Sequence, residues 1–144
     1  MKHFFLYLAM SNAVGPRGQV AGRQDMNPAT REWKLEALAD LCSDADFAQG
    51  VVYCSSIDAV EAVTYKLMSR NIDALALHGD MGASARHTIV SKFRSGNGGP
   101  GRGMGMKRVL VVYDALCRTL SDIHQVAIVV NYDLPRSVED YVHR

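Results

Sequence analysis

The sequence has little that could hold a fold together covalently. Three cysteines stand in 144 residues, at Cys42, Cys54 and Cys117. Their number is odd, their spacing is wide and no C-x-x-C pair occurs, so zinc and redox motifs are unsupported. The thiols read as buried free cysteines of a reducing compartment, cytoplasmic or nuclear. An excess of one charge is missing too: 16 Lys and Arg against 15 Asp and Glu leave a net charge of +1. No global field attracts a polyanion, and any nucleic-acid binding has to come from a local patch. Long apolar runs are absent. The N-terminal "MKHFFLYLAMSNA" imitates a signal peptide, but its run Phe4 to Met10 is short for one and far too short to span a bilayer. It reads as a strand. Catalytic signatures are lacking as well: there is no G-x-x-x-x-G-K-[ST], no His/Glu metal spacing and no nucleophile elbow.

What the chain does have is a repeated alternation. Four short apolar runs follow the first: "VVYC" (Val51 to Cys54), "ALAL" (Ala74 to Leu77), "VLVVY" (Val109 to Tyr113) and "VAIVV" (Val126 to Val130). They do not alternate polar with apolar, which predicts strands buried on both faces, as in parallel sheets. Between them Leu35, Leu38 and Cys42 mark one helical face, Val60, Val63 and Leu67 a second, and Ile89, Val90 and Phe93 a third. Ser55-x-x-Asp58 and Ser137-x-x-Asp140 predict capped helix starts. Strands alternating with helices through short loops imply right-handed βαβ crossovers, hence an α/β fold with a parallel sheet flanked by helices in a three-layer sandwich. A chain of this length fits one domain, residues 1–144.

Two segments break the pattern and predict flexible surface loops, residues 11–30 and 96–107. The second holds six glycines from Gly96 to Gly105. It reads first as a tolerated insertion, although Arg102 and Lys107 give it a means of touching phosphate.

In a parallel α/β sheet, ligands bind outside the carboxyl ends of the strands. The residues there are Ser55 and Ser56, then His78-Gly79-Asp80-Met81, then Tyr113-Asp114, then Asn131-Tyr132-Asp133. Ser55 and Ser56 at a helix start could cap that helix or meet a phosphate, since a helix N-terminus is partly positive and offers unpaired donors. From the residues alone this is an α/β module with a polar ligand edge and no catalytic engine.

In order along the chain, these loops resemble the second RecA-like domain of DEAD-box RNA helicases, most closely the initiation factor 4A group. The likeness spans "KHFFLYLAM" as a first strand, "REWKLEALADLC" as a first helix, "VVYCSS" in the place of motif IV, "HGDMGASAR", "SKFRSG", "VLVVYDALCRTLSD" in the place of motif V, "VVNYDLP" and "YVHR". Each piece alone is weak; their order and spacing are specific. The resemblance implies the C-terminal half of an ATP-dependent RNA helicase, an RNA-dependent ATPase. Such a domain grips the sugar-phosphate backbone of single-stranded RNA and closes over ATP and magnesium held by a first RecA-like domain of the same protein. A scaffold protein is a further implied partner. This domain alone binds no cofactor, and backbone contacts make the family largely sequence-independent.

Carried over by position, the RNA-facing residues are Ser55, Ser56, Gly79, Arg86, Tyr113, Asp114 and Thr119; the ATP-facing or interdomain residues are Arg118, Ser121 and Asp122. His143 and Arg144 open motif VI, H-R-x-G-R-x-x-R, whose two later arginines lie beyond the sequence. Without them no catalytic set is complete, and this stretch alone is expected not to turn over ATP; an arginine finger is worth ~10³–10⁵ in rate. Departures from the family cluster on the ligand side. Ala83 replaces the glutamine of Q-x-x-R, Tyr113 the threonine of T-D, and Thr119 the glycine of A-R-G. Ser121 falls where an aspartate holds the ribose, with Asp122 one place later. A degenerate, non-catalytic relative that binds RNA or protein is the alternative.

Overall fold

The computed structural model describes residues 28–95, 106–113, 115–116, 123 and 126–144. The expected strand at Phe4 to Met10, the glycine-rich residues 96–105, and Asp114, Cys117, Arg118, Thr119, Ser121 and Asp122 lie outside the described residues.

Four strands, β1 (Gln49–Cys54), β2 (Asp73–Leu77), β3 (Arg108–Tyr113) and β4 (Ile128–Asn131), form one sheet in the order β2-β3-β1-β4. Every pairing is parallel. The helices are α1 (Pro28–Asp44), α2 (Ile57–Ser69), α3 (Ala83–Arg94) and α4 (Val138–His143). The first three runs became strands largely buried on both faces, whereas the fourth is corrected: β4 spans Ile128–Asn131, none of its residues is fully buried and Val129 is exposed. Val52, Cys54, Ala74, Val109 and Val111 join Leu38, Cys42, Val60, Val63 and Leu67 of α1 and α2 in one core cluster. Val51, Tyr53, Leu75, Leu77, Leu110 and Val112 meet Phe93 of α3 in the other. This is the expected three-layer α/β sandwich, with α1 and α2 on one face and α3 on the other.

The helix ends show how local chemistry sets these boundaries. α1 starts at Pro28, so residues 28–30 are helical rather than loop as the sequence suggested. Proline is a breaker inside a helix but suits the first turn, where its fixed φ fits and its missing N–H is not needed. α2 ends in a Schellman turn. Asn71 adopts φ 60°, its N–H bonds to Met68 O, and the Ile72 N–H reaches back to Leu67 O at 3.1 Å. α1 has no basic residue in its last turn. Lys107, from just ahead of β3, supplies one by donating its Nζ to the carbonyls of Cys42 and Ser43. The reading of Lys107 as a phosphate contact is therefore corrected: its charge closes the C-terminal end of α1.

At the amino ends of the strands, Asp73, Arg108 and Gln49 share one register row. Arg108 Nε bonds Asp73 Oδ2 at 2.7 Å, and its Nη1 donates to Lys92 O at 2.6 Å. Gln49 Nε2 donates to Phe93 O, also at 2.6 Å. This row satisfies carbonyls at the end of α3 that the helix itself leaves open. It fixes α3 against the sheet and so fixes where its other end meets the ligand edge.

Gly50 marks a close approach within the sheet. A Cβ there would lie 2.7 Å from Ile128 Cγ2 and 3.1 Å from Phe47 Cε2, so only glycine lets β4 and the Phe47 ring approach β1 this closely.

Candidate functional site

The chain leaves β1 through α2 on one face of the sheet and leaves β2 through α3 on the other. β1 and β3 are neighbours, yet Ile123 and Val126, which follow β3, pack on the α3 face. The loops after β1 and β3 therefore part to opposite faces. This is the topological switch point at which open α/β sheets leave a crevice for ligand.

Register shows which expected residues come together there. Leu77, Val112, Tyr53 and Asn131 form one row across the sheet, so His78, Tyr113, Cys54 and Tyr132 end the strands at the same level. With strands ~4.8 Å apart, the four loops lie along a strip of roughly 15 Å. Ser55 and Gly79 lie one residue beyond that level, both exposed. Arg86 sits in the second turn of α3, half-buried, on the helix that starts from this edge. Ser55, Ser56, Gly79, Arg86 and Tyr113 thus share one edge. Asp114, Arg118, Thr119, Ser121 and Asp122 belong to the loop that follows β3 and lie outside the described residues.

The two serines after β1 divide their work. Ser56, not Ser55, is the N-cap of α2: its Oγ accepts the Ala59 N–H at 3.2 Å. The expected Ser55-x-x-Asp58 box is corrected by one position. Ser137 does cap α4 as predicted, accepting the Asp140 N–H at 3.1 Å. Ser55 instead donates its backbone N–H to Asp133 Oδ2 at 2.8 Å, while its side chain stays exposed.

Asp133 was only one of several polar residues at the strand ends, and its role emerges from the fold. Its Oδ1 accepts from Lys34 Nζ at 2.7 Å, so one carboxylate ties the loop after β4 to the loop after β1 and to α1. Burial pushes its pKa up, but the bonds from Lys34 and Ser55 outweigh this and hold it below the usual value. Lys34 Nζ also lies 4.0 Å from the centroid of Tyr132, whose phenol is raised chiefly by burial. A lysine early in the chain, 99 positions from its partner, carries no sequence signal of this pairing.

Arg144 is likewise placed by tertiary contacts. Its Nη1 donates to Asn131 Oδ1 at 3.0 Å and to Asp133 O at 2.7 Å, and its guanidinium lies 5.4 Å from the Tyr53 ring centroid. It closes the β4 end of the ligand edge. It also lines a groove of about 180 Å³ together with His143, Val51, Tyr53, Ile123, Val126 and Val129.

Tyr113 ends β3 with its ring packed against the α1/α2 core cluster. His78, at the end of β2, holds its Nδ1 buried without a hydrogen-bond partner.

Comparison with known proteins places this geometry. The family model described as the helicase conserved C-terminal domain matches residues 33–144. The chain is 41% identical over 113 residues to the ATP-dependent RNA helicase eIF4A of Aspergillus clavatus, covering 78% of this chain and 26% of that protein. Among solved structures, the C-terminal domain of the DEAD-box protein Dbp5 superposes with a TM-score of 0.63 at 26% identity, over 77% of this chain and 59% of that one. Saccharomyces cerevisiae Dbp5 bound to RNA and ADP BeF3 gives 0.62 at 26% identity, over 79% and 28%. The chain spans about a quarter of the length of the curated relative it matches.

Proposed function

This chain belongs to the helicase conserved C-terminal domain family, and from that membership we propose that it serves as the second half of a DEAD-box ATP-dependent RNA helicase of the initiation factor 4A type. In this reading it grips the sugar-phosphate backbone of single-stranded RNA and closes over ATP and magnesium held by an N-terminal RecA-like domain of the same protein. The observation that carries the reading is the switch point between β1 and β3, with Ser55 held to Asp133 beside it. Exposed backbone and small polar groups at Ser55 and Gly79 suit backbone contact, and Arg86 adds a charge for phosphate. The buried thiols Cys42 and Cys54, raised by burial to about 11 and about 12, suit a reducing compartment, cytoplasm or nucleus.

The test is binding of a labelled single-stranded RNA to this chain, together with RNA-stimulated ATP hydrolysis by the protein that contains it. Weak, strongly salt-dependent binding that Arg86→Ala reduces is expected. Binding indifferent to Arg86→Ala would displace the RNA face from this edge.

One observation favours a second reading, a non-catalytic module that keeps the scaffold and binds RNA or protein. Tyr113 ends β3 and packs against the α1/α2 core, a bulky residue where the family's motif V has a small hydroxyl. Clear RNA-stimulated turnover by the whole protein would dismiss it.

A further inference from the structure

Packing does not explain the buried nitrogen of His78. Its Nδ1 is enclosed with no hydrogen-bond partner among the described residues, although the residue as a whole is only half-buried. A polar atom enclosed in this way loses its hydration and gains nothing in return, a cost that an apolar side chain of similar size would not carry. If the end of β2 needed only to be filled, leucine would fill it better. Native structures keep such atoms rarely, and where they do the group that bears them commonly serves a function.

Burial of one nitrogen also sets the state of the other. A proton on Nδ1 would be a buried donor facing no acceptor, so the neutral ring carries its proton on Nε2. Nε2 is not enclosed as Nδ1 is, and the ring therefore offers one oriented N–H on its open side.

That N–H stands at the ligand edge. His78 follows the last residue of β2, level with Tyr113, and its carbonyl accepts the Met81 N–H at 3.3 Å. This bond closes a turn with Gly79 and Asp80 at its tip, both exposed. A Cβ on Gly79 would meet no atom within 4 Å, and its φ lies outside the left-handed region. Neither crowding nor backbone conformation demands glycine there. The turn thus leaves bare backbone beside the His78 ring, and α3 leads from it to Arg86.

We propose that His78 is a further RNA-binding residue, which donates a hydrogen bond from Nε2 to the sugar-phosphate backbone where a single strand crosses Gly79. This rests on the RNA-binding reading above and adds a contact to it. A neutral N–H complements Arg86: it fixes one oxygen by direction, whereas the guanidinium attracts phosphate by charge. The enclosed Nδ1 keeps the ring in the one tautomer that serves this contact.

Binding of a fluorescein-labelled oligouridylate by the full chain, read by anisotropy at mildly alkaline pH, tests the proposal. H78L should weaken binding about tenfold, the worth of one good hydrogen bond, while its urea midpoint stays level with the wild type or rises. H78Q should bind nearly as the wild type does, because its amide nitrogen can reach the position of Nε2. H78N, whose amide lies at the position of Nδ1, should bind as weakly as H78L. A neutral donor displaces no counterion, so H78L should keep the wild-type slope of log K against log[salt], whereas R86A should flatten it by about 0.7. Proton–nitrogen correlation spectra of the free chain should show His78 protonated at Nε2. Wild-type affinity in H78L overturns the contact and leaves the RNA reading standing. So do a flattened slope in H78L, rescue by H78N rather than H78Q, rescue by neither, or a proton found on Nδ1. A urea midpoint that falls in H78L assigns His78 to packing and overturns it too. No RNA binding by the wild type overturns both the contact and the reading it rests on.

Discussion

Asp133 accepts the backbone N–H of Ser55 at 2.8 Å across 78 positions of sequence. That bond holds the loop after β1 in place beside the switch point, and Lys34 shares the same carboxylate. Asp133→Ala leaves a donor and a partly buried ammonium without their acceptor, so it should cost about 1–3 kcal/mol in urea denaturation. RNA affinity should fall with it, as the Ser55 loop loses its anchor.

The same carboxylate makes stability depend on pH. Its pKa is lowered on folding, because the bonds from Lys34 and Ser55 outweigh burial. Its contribution is therefore complete above the unfolded value near ~4 and is lost as pH falls through the folded value. Denaturation midpoints of the wild type and Asp133→Asn should differ most at neutral pH and converge in acid. A constant gap down to strongly acidic pH would assign the effect to packing.

Ser55 and Ser56 should separate cleanly by mutation. Ser56→Ala removes the cap of α2 and should cost about 1 kcal/mol. Ser55→Ala keeps the N–H that Asp133 accepts and loses only the weaker interaction of its hydroxyl with that carboxylate, so it should cost less than Ser56→Ala. Any RNA contact by the Ser55 hydroxyl would then appear as weakened binding in a protein more stable than Ser56→Ala.

The Arg108–Asp73 pair has side chains 5% and 13% exposed. Arg108→Ala strands a buried carboxylate and leaves Lys92 O with only the Ser95 hydroxyl, so a loss of about 3–5 kcal/mol is expected. Asp73→Ala in the same background should add less than it costs alone, because the stranded charge is then gone. A double-mutant cycle measures the coupling.

Arg144 should govern α4, which has no buried residue of its own. Arg144→Ala removes the bonds to Asn131 and Asp133 and the contact with Tyr53. Amide exchange over residues 138–143 should accelerate sharply while β1 and β3 stay protected. Equal loss of protection in the central strands would show that Arg144 supports the whole sheet.

The strands and helical faces were legible in the sequence because each reflects a local cause: doubly buried runs such as "VLVVY", or the spacing of Val60, Val63 and Leu67. Boundaries were less legible where one residue type has two uses. Pro28 reads as a breaker but begins α1, and Ser55 and Ser56 are equal capping candidates until backbone geometry selects Ser56. The working contacts of the ligand edge were least legible. Lys34 with Asp133, and Lys107 with the end of α1, join residues 99 and 65 positions apart. No local pattern encodes which distant carbonyl or carboxylate a lysine will meet.

The sheet order has a kinetic consequence. Among the described residues no strand pairs with its neighbour in sequence through a tight hairpin; even the Asp73–Arg108 bond spans 35 positions, and the Ser55–Asp133 bond spans 78. Loop-closure entropy must therefore be met before any ladder forms, which makes folding slow for a domain of this size. β1 waits for β3 and then for β4, its apolar edges open meanwhile to other chains. Both contacts of Asp133 that align the ligand edge close long loops, 78 positions to Ser55 and 99 to Lys34, so the domain completes its binding surface late in folding.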